Sequence, residues 1–187
     1  RAGIRVASYF GMAEADSDGV SLVVVLADDR QARLYLGRTR VRGAAFESLT
    51  PSCPQVHLFE REIAEQFGLR AVGHPWFKPV RYHRSYRPGY EAFSGSDGEG
   101  PSIGVTDFYH VEGEEVHEVA VGPVHAGIIE PGHFRFQCHG ENVLHLEISL
   151  GYQHRGVEKA MISGPNKRSV HYAETLAGDT SVGHATA

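Results

Sequence analysis

The sequence predicts an α+β fold, in which an amino-terminal sheet packs with helices and a second, β-rich segment follows. Residues 20–38 contain two apolar stretches joined by a polar turn, which is the pattern of a strand hairpin. Residues 54–67 carry apolar side chains at helical spacing. From residue 116 onwards an apolar–polar alternation returns and indicates a second hairpin.

The composition excludes several classes of protein. The 187 residues include 18 Lys and Arg against 23 Asp and Glu, a formal net charge of −5, so no nucleic-acid partner is expected. The two cysteines, Cys53 and Cys138, are too few for a disulfide framework. This favours reduced thiols in a cytoplasmic protein, with both residues in the core. The longest aliphatic run, Leu22–Ala27, is too short for a membrane span.

The amino-terminal domain is predicted to cover residues 1–88. Val20–Ala27 is β-branched and aliphatic, which predicts a strand that ends at Asp28 and Asp29. Residues 31–38 alternate between apolar and polar side chains and are predicted to be its hairpin partner. We expect a short helix over residues 44–49.

The clearest helix covers Pro54–Phe67. A proline suits the first turn of a helix, and Gly68 follows the last apolar residue, where a glycine suits the C-cap. The side chains that recur at helical spacing form the expected buried stripe: Val56, Phe59, Ile63 and Phe67.

Residues 89–115 are rich in glycine, serine and acids and are predicted to be a linker. Residues 116–187 are predicted to be the amino-terminal part of a second domain that continues beyond the last residue. Its expected elements are three strands and two helices, over 116–121, 134–138, 143–150, 152–161 and 169–187. Gly178 and Gly183 are expected to break the last helix.

Two segments carry a resemblance to known families. The first is Phe59–Leu69, FEREIAEQFGL, followed by Gly73-His74-Pro75. It resembles the small thirty-kilodalton-type subunit of respiratory complex I. For this domain the resemblance implies a sheet packed with helices.

The second segment comprises Gly122–His125, Glu130–Phe136 and Gly151–Lys159. It resembles the start of the forty-nine-kilodalton-type subunit of complex I and of the large subunit of energy-converting nickel–iron hydrogenases. Both segments in one chain, in this order, resemble the formate hydrogenlyase large subunit and its relatives.

The charged residues of the two segments are expected to form interfaces or local networks. The resemblance implies an interface at Glu60, Arg61 and Glu62, whereas the residues alone allow a solvated helix face. Gly73-His74-Pro75 is expected to be a shaped turn, with His74 assigned to the interface.

Arg81, Arg84 and Arg87 are expected to pair with acids of a neighbouring subunit in preference to anionic lipid. The charged residues expected near the helix start of the second segment are Arg135, His154, Arg155, Glu158 and Lys159.

The second segment also holds candidates for proton transfer. Ile129–His133 resembles a hydrogenase segment whose Glu carries protons, so Glu130 is the first candidate and His133 and His125 are the next. The alternative is that Glu130 pairs locally and both histidines bind turn carbonyls. Asp179 could carry protons or cap a helix, and the second role is favoured.

The metal ligands of the hydrogenases are replaced in this sequence. Where the resemblance implies two cysteines, Ala177 and Thr180 stand, and neither offers the thiolate that nickel and iron require. The quinone-binding His and Tyr of complex I fall on Pro131 and Gly178. Cys138 and His139, with His133 or His145, do not match a zinc-site spacing.

We therefore expect a peripheral-arm subunit of a membrane-bound redox complex, with a scaffold and proton-coupling role and no nickel–iron site of its own. The resemblance implies an iron–sulfur subunit and integral membrane subunits as partners. Iron–sulfur clusters are expected in a partner and no cofactor in this chain. The expected location is cytoplasmic, on the inner face of the membrane. An active nickel–iron hydrogenase and a soluble non-redox binding module are the alternatives.

Overall fold

The structure is a computed structural model. It describes residues 3–15, 17–80, 83, 85–87, 89–90, 93, 107–124, 130–162 and 164–187. The chain divides into two compact units, Arg1–Ile103 and Gly104–Ala187. Both contain antiparallel sheets and short helices, which confirms the predicted α+β class.

The first unit is built on a three-stranded antiparallel sheet. Strands β1 (Ile4–Ala13), β2 (Val20–Asp28) and β3 (Arg33–Arg40) follow one another in space as in sequence. The predicted hairpin is therefore confirmed as β2 and β3, and β1 adds a strand that the sequence pattern did not indicate. The register shifts by one residue between Val6 and Ser8, so that β1 pairs with β2 on both sides of this irregularity.

The inner face of this sheet packs against helix α1 (His57–Phe67), which follows a 3-10 turn over Pro54–Val56. The helix ends at Gly68, whose φ of 64° is the left-handed conformation of a C-cap. At Gly11 a Cβ would lie 2.5 Å from the ring of Phe67, so only a glycine permits this helix–sheet distance. The buried core is Tyr9, Val20, Leu22, Val56, Ile63, Phe67 and Leu69.

The predicted helix over 44–49 is wrong. Residues Ala45–Glu47 form strand β4, which pairs in parallel with β5 (Arg70–Val72). Phe46 of β4 packs against the core. Pairing with a segment beyond α1 and burial of this aromatic ring outweigh the helix propensity of neighbouring alanine, leucine and glutamate.

The second unit is built on another three-stranded antiparallel sheet, of β6 (Val116–Val124), β7 (Gly132–His139) and β8 (Asn142–Ser149). The three predicted strands and the β7–β8 hairpin are confirmed. Its two faces differ in character, because residues of opposite parity alternate across the pleat. Val119, Phe136 and Leu146 are register neighbours on one face, and the other face holds the charged side chains described below.

The remainder of the second unit is short helices: α2 (Val157–Met161), α3 (Ser169–Glu174) and α4 (Ser181–Thr186). Gly156 adopts the left-handed conformation and delays α2 relative to the predicted start. Gly178 interrupts the last helical segment, as predicted, and begins a 3-10 turn. The predicted break at Gly183 is wrong, since this residue lies inside α4 and its carbonyl accepts from Ala187 N–H. Residues 107–113 have no regular structure.

Candidate functional site

Glu60 lies in the first turn of α1 and is fully buried. One carboxylate oxygen accepts the amide of Leu49 at 2.6 Å. The other accepts the hydroxyls of Ser48 at 2.5 Å and Thr50 at 2.6 Å. Burial, and secondarily the charge of Glu60, raises the pKa of Tyr9 to about 12. The carboxylate thus holds the 48–50 turn against α1.

Arg61 points to another segment of the same unit and is 4% exposed. Its Nε donates to the carbonyl of Lys78 and a terminal nitrogen donates to the carbonyl of Pro79, both at 2.6 Å. The guanidinium also stands 4.9 Å from the ring centre of Trp76. Desolvation lowers the pKa of Arg61, and the charge of Glu65 opposes this shift. Arg61 therefore fastens the segment after β5 to α1.

Side chains in the next turns of α1 also form hydrogen bonds to the segment after β5. Glu65 accepts the amide of Val80 at 2.8 Å. Gln66 is 2% exposed, and its side-chain oxygen accepts the amide of Tyr86 at 3.1 Å. Glu60, Arg61, Glu65 and Gln66 of the EREIAEQF motif therefore form hydrogen bonds to this unit's own backbone. The solvated-face alternative is wrong for Glu60 and Arg61, while the interface at Glu60, Arg61 and the half-buried Glu62 stays a prediction.

His74 shapes the turn that was expected at Gly73-His74-Pro75. The amide of Trp76 donates to Nδ1 at 3.1 Å. Nε2 therefore carries the proton and donates to the carbonyl of His57, also at 3.1 Å. The His57 ring stacks on Trp76 with centroids 5.7 Å apart. Burial, followed by Arg61 and His74, lowers the pKa of His57.

The basic residues after this turn were expected to face acids or lipid. Arg87 donates to the carbonyl of Phe67 at 3.3 Å and also to the carbonyl of Asp18. Its guanidinium lies 3.5 Å from the ring centre of Tyr90. Arg87 therefore links the end of α1 to the β1–β2 turn. Arg81 and Arg84 lie outside the described residues.

In the second unit, the polar face of the sheet holds a chain of hydrogen bonds. Arg135 donates to the carboxylate of Glu118, and Gln137 donates to the same carboxylate at 2.7 Å. These two hydrogen bonds and the positive charge of Arg135 lower the pKa of Glu118. His110 Nδ1 lies 3.1 Å from Glu118. Glu118 and His110 were not among the predicted residues. Glu118 shares its side of β6 with the apolar Val116 and Ala120, so no alternation marks it.

His133 continues this chain of hydrogen bonds. Arg135 Nε can only donate, so His133 Nε2 accepts its hydrogen bond at 3.3 Å. Nδ1 then carries the proton and donates to the carbonyl of Gly122 at 3.0 Å. The local alternative foreseen for His133 was a bond to a turn carbonyl; the bond found is also to a backbone carbonyl, but Gly122 lies in β6. His125 lies outside the described residues.

Glu130 and Arg155 meet in the same unit. Their closest atoms, Oε1 and a terminal nitrogen, are 3.4 Å apart, and the two side chains are 37% and 41% exposed. Arg155 also donates to the carbonyls of Gln153 at 2.9 Å and Thr175 at 2.8 Å. The structure therefore places Glu130 in an exposed local pair, which is the alternative foreseen for it.

The remaining described candidates are exposed. Glu158 and Lys159 are exposed on α2, and Asp179 is exposed in the 3-10 turn Gly178–Thr180. Ala177, not Asp179, is the N-cap of that turn, which has no side-chain cap.

Among the described residues no group of three or more His, Cys, Asp and Glu side chains has metal-binding geometry. Over the same residues, no helix has the length and apolar character of a bilayer span.

A comparison with known protein families gives a match in the first unit. Residues 4–91 match the family described as the respiratory-chain NADH dehydrogenase 30 Kd subunit. Most of the first unit is therefore similar to that family. The match includes α1, the turn at His74 and the segment that Arg61, Glu65 and Gln66 hold.

Longer relatives resemble more of the chain. Formate hydrogenlyase subunit 5 of Escherichia coli (strain K12) is 27% identical over 154 residues, 76% of this chain and 26% of that protein. Hydrogenase-4 component G of the same organism is 32% identical over 128 residues, 61% of this chain and 22% of that protein. An NADH-quinone oxidoreductase subunit of Bacteroides thetaiotaomicron is 25% identical over 169 residues, 75% of this chain and 31% of that protein. The chain spans less than a third of the length of these relatives.

Proposed function

We propose that this chain is part of a peripheral-arm subunit of a membrane-bound redox complex related to NADH:quinone oxidoreductase and formate hydrogenlyase. One observation carries the proposal. The alignment with formate hydrogenlyase subunit 5 covers 154 residues and is longer than either Arg1–Ile103 or Gly104–Ala187. The resemblance therefore crosses both units in one order, which a shared single domain would not produce.

Within this proposal the first unit acts as a scaffold. Glu60, Arg61 and Gln66 are buried in contacts to their own backbone. Such contacts fix the course of the segment after β5, and a fixed surface is what a docking subunit must present to its partners. The proposed partners are an iron–sulfur subunit, which would hold the clusters, and integral membrane subunits on the inner face of the membrane.

The second unit is proposed to shape the region where protons move. Glu130, His133, His125 and Asp179 stay the candidates. Transfer through His133 requires its Nε2 to gain a proton, and that proton would face the Arg135 N–H which now donates to it. Proton transfer through His133 therefore needs Arg135 to move. Proton transfer through Glu130 would likewise need Arg155 to move, because the two side chains form a pair.

We further propose that the chain holds no nickel–iron site. Position 177 is an alanine whose side chain has no ligand atom, and position 180 is an exposed threonine at the end of the 3-10 turn. Nickel and iron of the hydrogenase type require soft thiolate ligands. The two cysteines of the sequence, Cys53 and Cys138, lie in different units.

An affinity purification of the full-length protein from detergent-solubilised native membranes, read by mass spectrometry, tests the proposal. Recovery of an iron–sulfur protein with multi-spanning membrane proteins is the expected result. Recovery of the protein alone, from the soluble fraction, would reject it in favour of a non-redox binding module. Nickel in the purified material, lost when the chain is removed, would instead support an active hydrogenase.

A further inference from the structure

A segment without regular structure, residues 107–111, lies against the polar face of the sheet in the second unit, and we call it the strap. Its amides bind side chains that project from two strands. Tyr109 N–H donates to the carboxylate of Glu147 on β8, and Val111 N–H donates to the side-chain oxygen of Gln137 on β7 at 3.4 Å. Glu147 and Gln137 are only 3% and 2% exposed. The strap is therefore fastened to buried groups at two points.

Side chains of the strap also contact His133 and its hydrogen-bond partner Arg135. The Phe108 ring lies 5.4 Å from the His133 ring, centre to centre, and the guanidinium carbon of Arg135 lies 4.6 Å from the centre of the Phe108 ring. His110 Nδ1 lies 3.1 Å from Glu118, which also accepts from Arg135. Arg135 is therefore held by the strap as well as by the sheet, in the position from which it donates to His133 Nε2.

The strap has the features of a segment that opens while the sheet stays folded. Tyr109 and His110 are exposed, and Phe108 and Val111 are half-buried. The two amide bonds of the strap end on side chains, whereas β7 is paired with β6 and β8 along both edges. Segments with few buried apolar contacts open at a lower free energy than packed strands. Opening of the strap therefore needs no unfolding of the sheet beneath it.

We propose that the strap is a lid on His133 that controls when this imidazole takes a proton. While the strap is closed, Nε2 accepts the Arg135 N–H, and the Phe108 ring lies against both side chains. Opening removes Phe108 from the guanidinium, so Arg135 can turn away from Nε2. The lone pair of Nε2 then accepts a proton from solvent, and Nδ1 keeps its proton on the carbonyl of Gly122. The inference rests on the proposed function, in which His133 is a candidate for proton transfer, and adds the regulation of that residue.

Hydrogen exchange of the full chain, followed by NMR, tests whether the strap opens. If the strap is a lid, the amides of Tyr109 and Val111 exchange through one shared opening. We expect equal protection factors at these two amides, at least about tenfold below those of the hydrogen-bonded amides of β7 and β8. Exchange of both amides at the rate of the sheet would mean that the segment is a fixed part of the unit, and would overturn the proposal.

Chemical modification of His133 tests whether the strap covers it. Diethyl pyrocarbonate acylates the unprotonated nitrogen of a neutral imidazole, and peptide mass mapping gives the rate at each histidine. Val111→Pro removes the amide that binds Gln137 and is expected to raise the rate at His133 about tenfold. Glu112→Pro is the matched control, because it places the same residue one position later and keeps that amide. It is expected to leave the rate within about twofold of that in the unchanged chain.

A second pair of variants tests the role of the Phe108 ring. Phe108→Ala removes the ring beside His133 and is expected to raise the same rate, whereas Tyr152→Ala, at an exposed aromatic residue of this unit, should not. Unchanged hydrogen exchange at β7 and β8 shows that each variant is folded. A His133 rate in the unchanged chain equal to that of the exposed His171, or a rate insensitive to Val111→Pro and Phe108→Ala, overturns the proposal.

Both measurements use the purified chain, and neither needs a redox partner. Failure of the strap test leaves the proposed complex unaffected. Isolation of the protein without partners rejects the complex and leaves a lid that these two measurements support in place. The failure of this inference and the failure of the proposed function are therefore distinguishable.

Discussion

At the scale of single residues, Glu60 shows how a buried acid becomes part of a fold. Its carboxylate accepts three hydrogen bonds from Ser48, Leu49 and Thr50. Removing it leaves the buried Thr50 hydroxyl and two partly buried donors without this acceptor, which is more costly than the loss of one contact. We therefore expect Glu60→Ala to lower the free energy of unfolding of the first unit by about 3 kcal/mol. Glu60→Gln should cost about 1 kcal/mol, because its amide can donate to the two hydroxyls.

Urea unfolding followed by tryptophan fluorescence measures this cost. The chain has one tryptophan, Trp76, so the signal comes from the first unit. Glu47→Ala is the matched control, because Glu47 is an exposed acid of the same unit, and it should change stability by less than about 0.5 kcal/mol. Equal effects of Glu60→Ala and Glu47→Ala would contradict the role assigned to the buried carboxylate.

Tyr9 supplies a prediction on pH. Its pKa is raised to about 12 by burial and by Glu60, so the fold favours the neutral phenol. This stabilisation is complete below the ordinary tyrosine pKa of about 10 and is lost as the pH rises towards 12. We expect a loss of about 2–3 kcal/mol over that interval, absent in Tyr9→Phe. Absorbance at the tyrosinate band and urea unfolding at each pH test it, and a Tyr9→Phe curve with the same slope would refute it.

The sequence could predict the kind of residue at these positions but not their partners. The helix dipole favours an acid in the first turn of a helix, and Glu60 lies in the first turn of α1. Its three donors precede α1, whereas the acceptors of Arg61 follow it, at residues 78 and 79. Helical periodicity predicts only how side chains are arranged around one helix. The burial of Glu60 and Arg61 depends on residues 48–50 and 78–79, whose positions relative to α1 the periodicity does not predict.

At the scale of elements, α1 is the support on which an irregular segment is held. Glu65 binds the amide of Val80, and Gln66 binds the amide of Tyr86. We expect Glu65→Met to accelerate hydrogen exchange of Val80 about tenfold or more and to leave Tyr86 unchanged. Gln66→Met should produce the reverse pattern. NMR hydrogen exchange measures both amides, and joint acceleration in either variant would show that the segment opens as one body instead.

The same scale explains which elements the sequence could predict. Strand β2 is a continuous aliphatic run, strands β3, β7 and β8 alternate, and α1 has a full apolar stripe, so local pattern was sufficient. Strand β4 has three residues and takes its conformation from pairing with β5, which follows α1. A pairing of that separation leaves no periodic signal, and the local propensity for a helix was therefore misleading.

In the second unit, the sheet's polar face predicts sensitivity to acid. Hydrogen bonds from Arg135 and Gln137 lower the pKa of Glu118 below its ordinary value of 4.5. The stabilisation is therefore present above 4.5 and is lost as the pH falls through the lowered pKa. We expect the amides of β6 and β7 to lose protection from hydrogen exchange on acidification below 4.5, and Glu118→Gln to remove that dependence. An unchanged pH profile in Glu118→Gln, followed by NMR, would argue against it.

At the scale of the whole molecule, the sequence predicted the order of the two segments better than the chemistry of either. The first motif was expected to mark a thirty-kilodalton-type domain, and residues 4–91 match that family. The proposed relay could not be specified in the same way, because protonation and burial depend on neighbours. Glu130 is bound to Arg155, a contact between residues 25 positions apart.

Two compact units, each with its own hydrogen-bonded sheet, are expected to unfold as separate cooperative transitions. Among the described residues, the hydrogen-bond partners of Glu60 lie in the first unit. Glu60→Ala should therefore move the urea midpoint reported by Trp76 and leave that of β7 and β8 unchanged, as measured by hydrogen exchange with mass spectrometry across a urea series. Glu118→Gln, at a pH where Glu118 is charged, should affect only the second midpoint. If either variant shifts both midpoints equally, the units unfold as one, and the free energy assigned to Glu60 belongs to the whole chain.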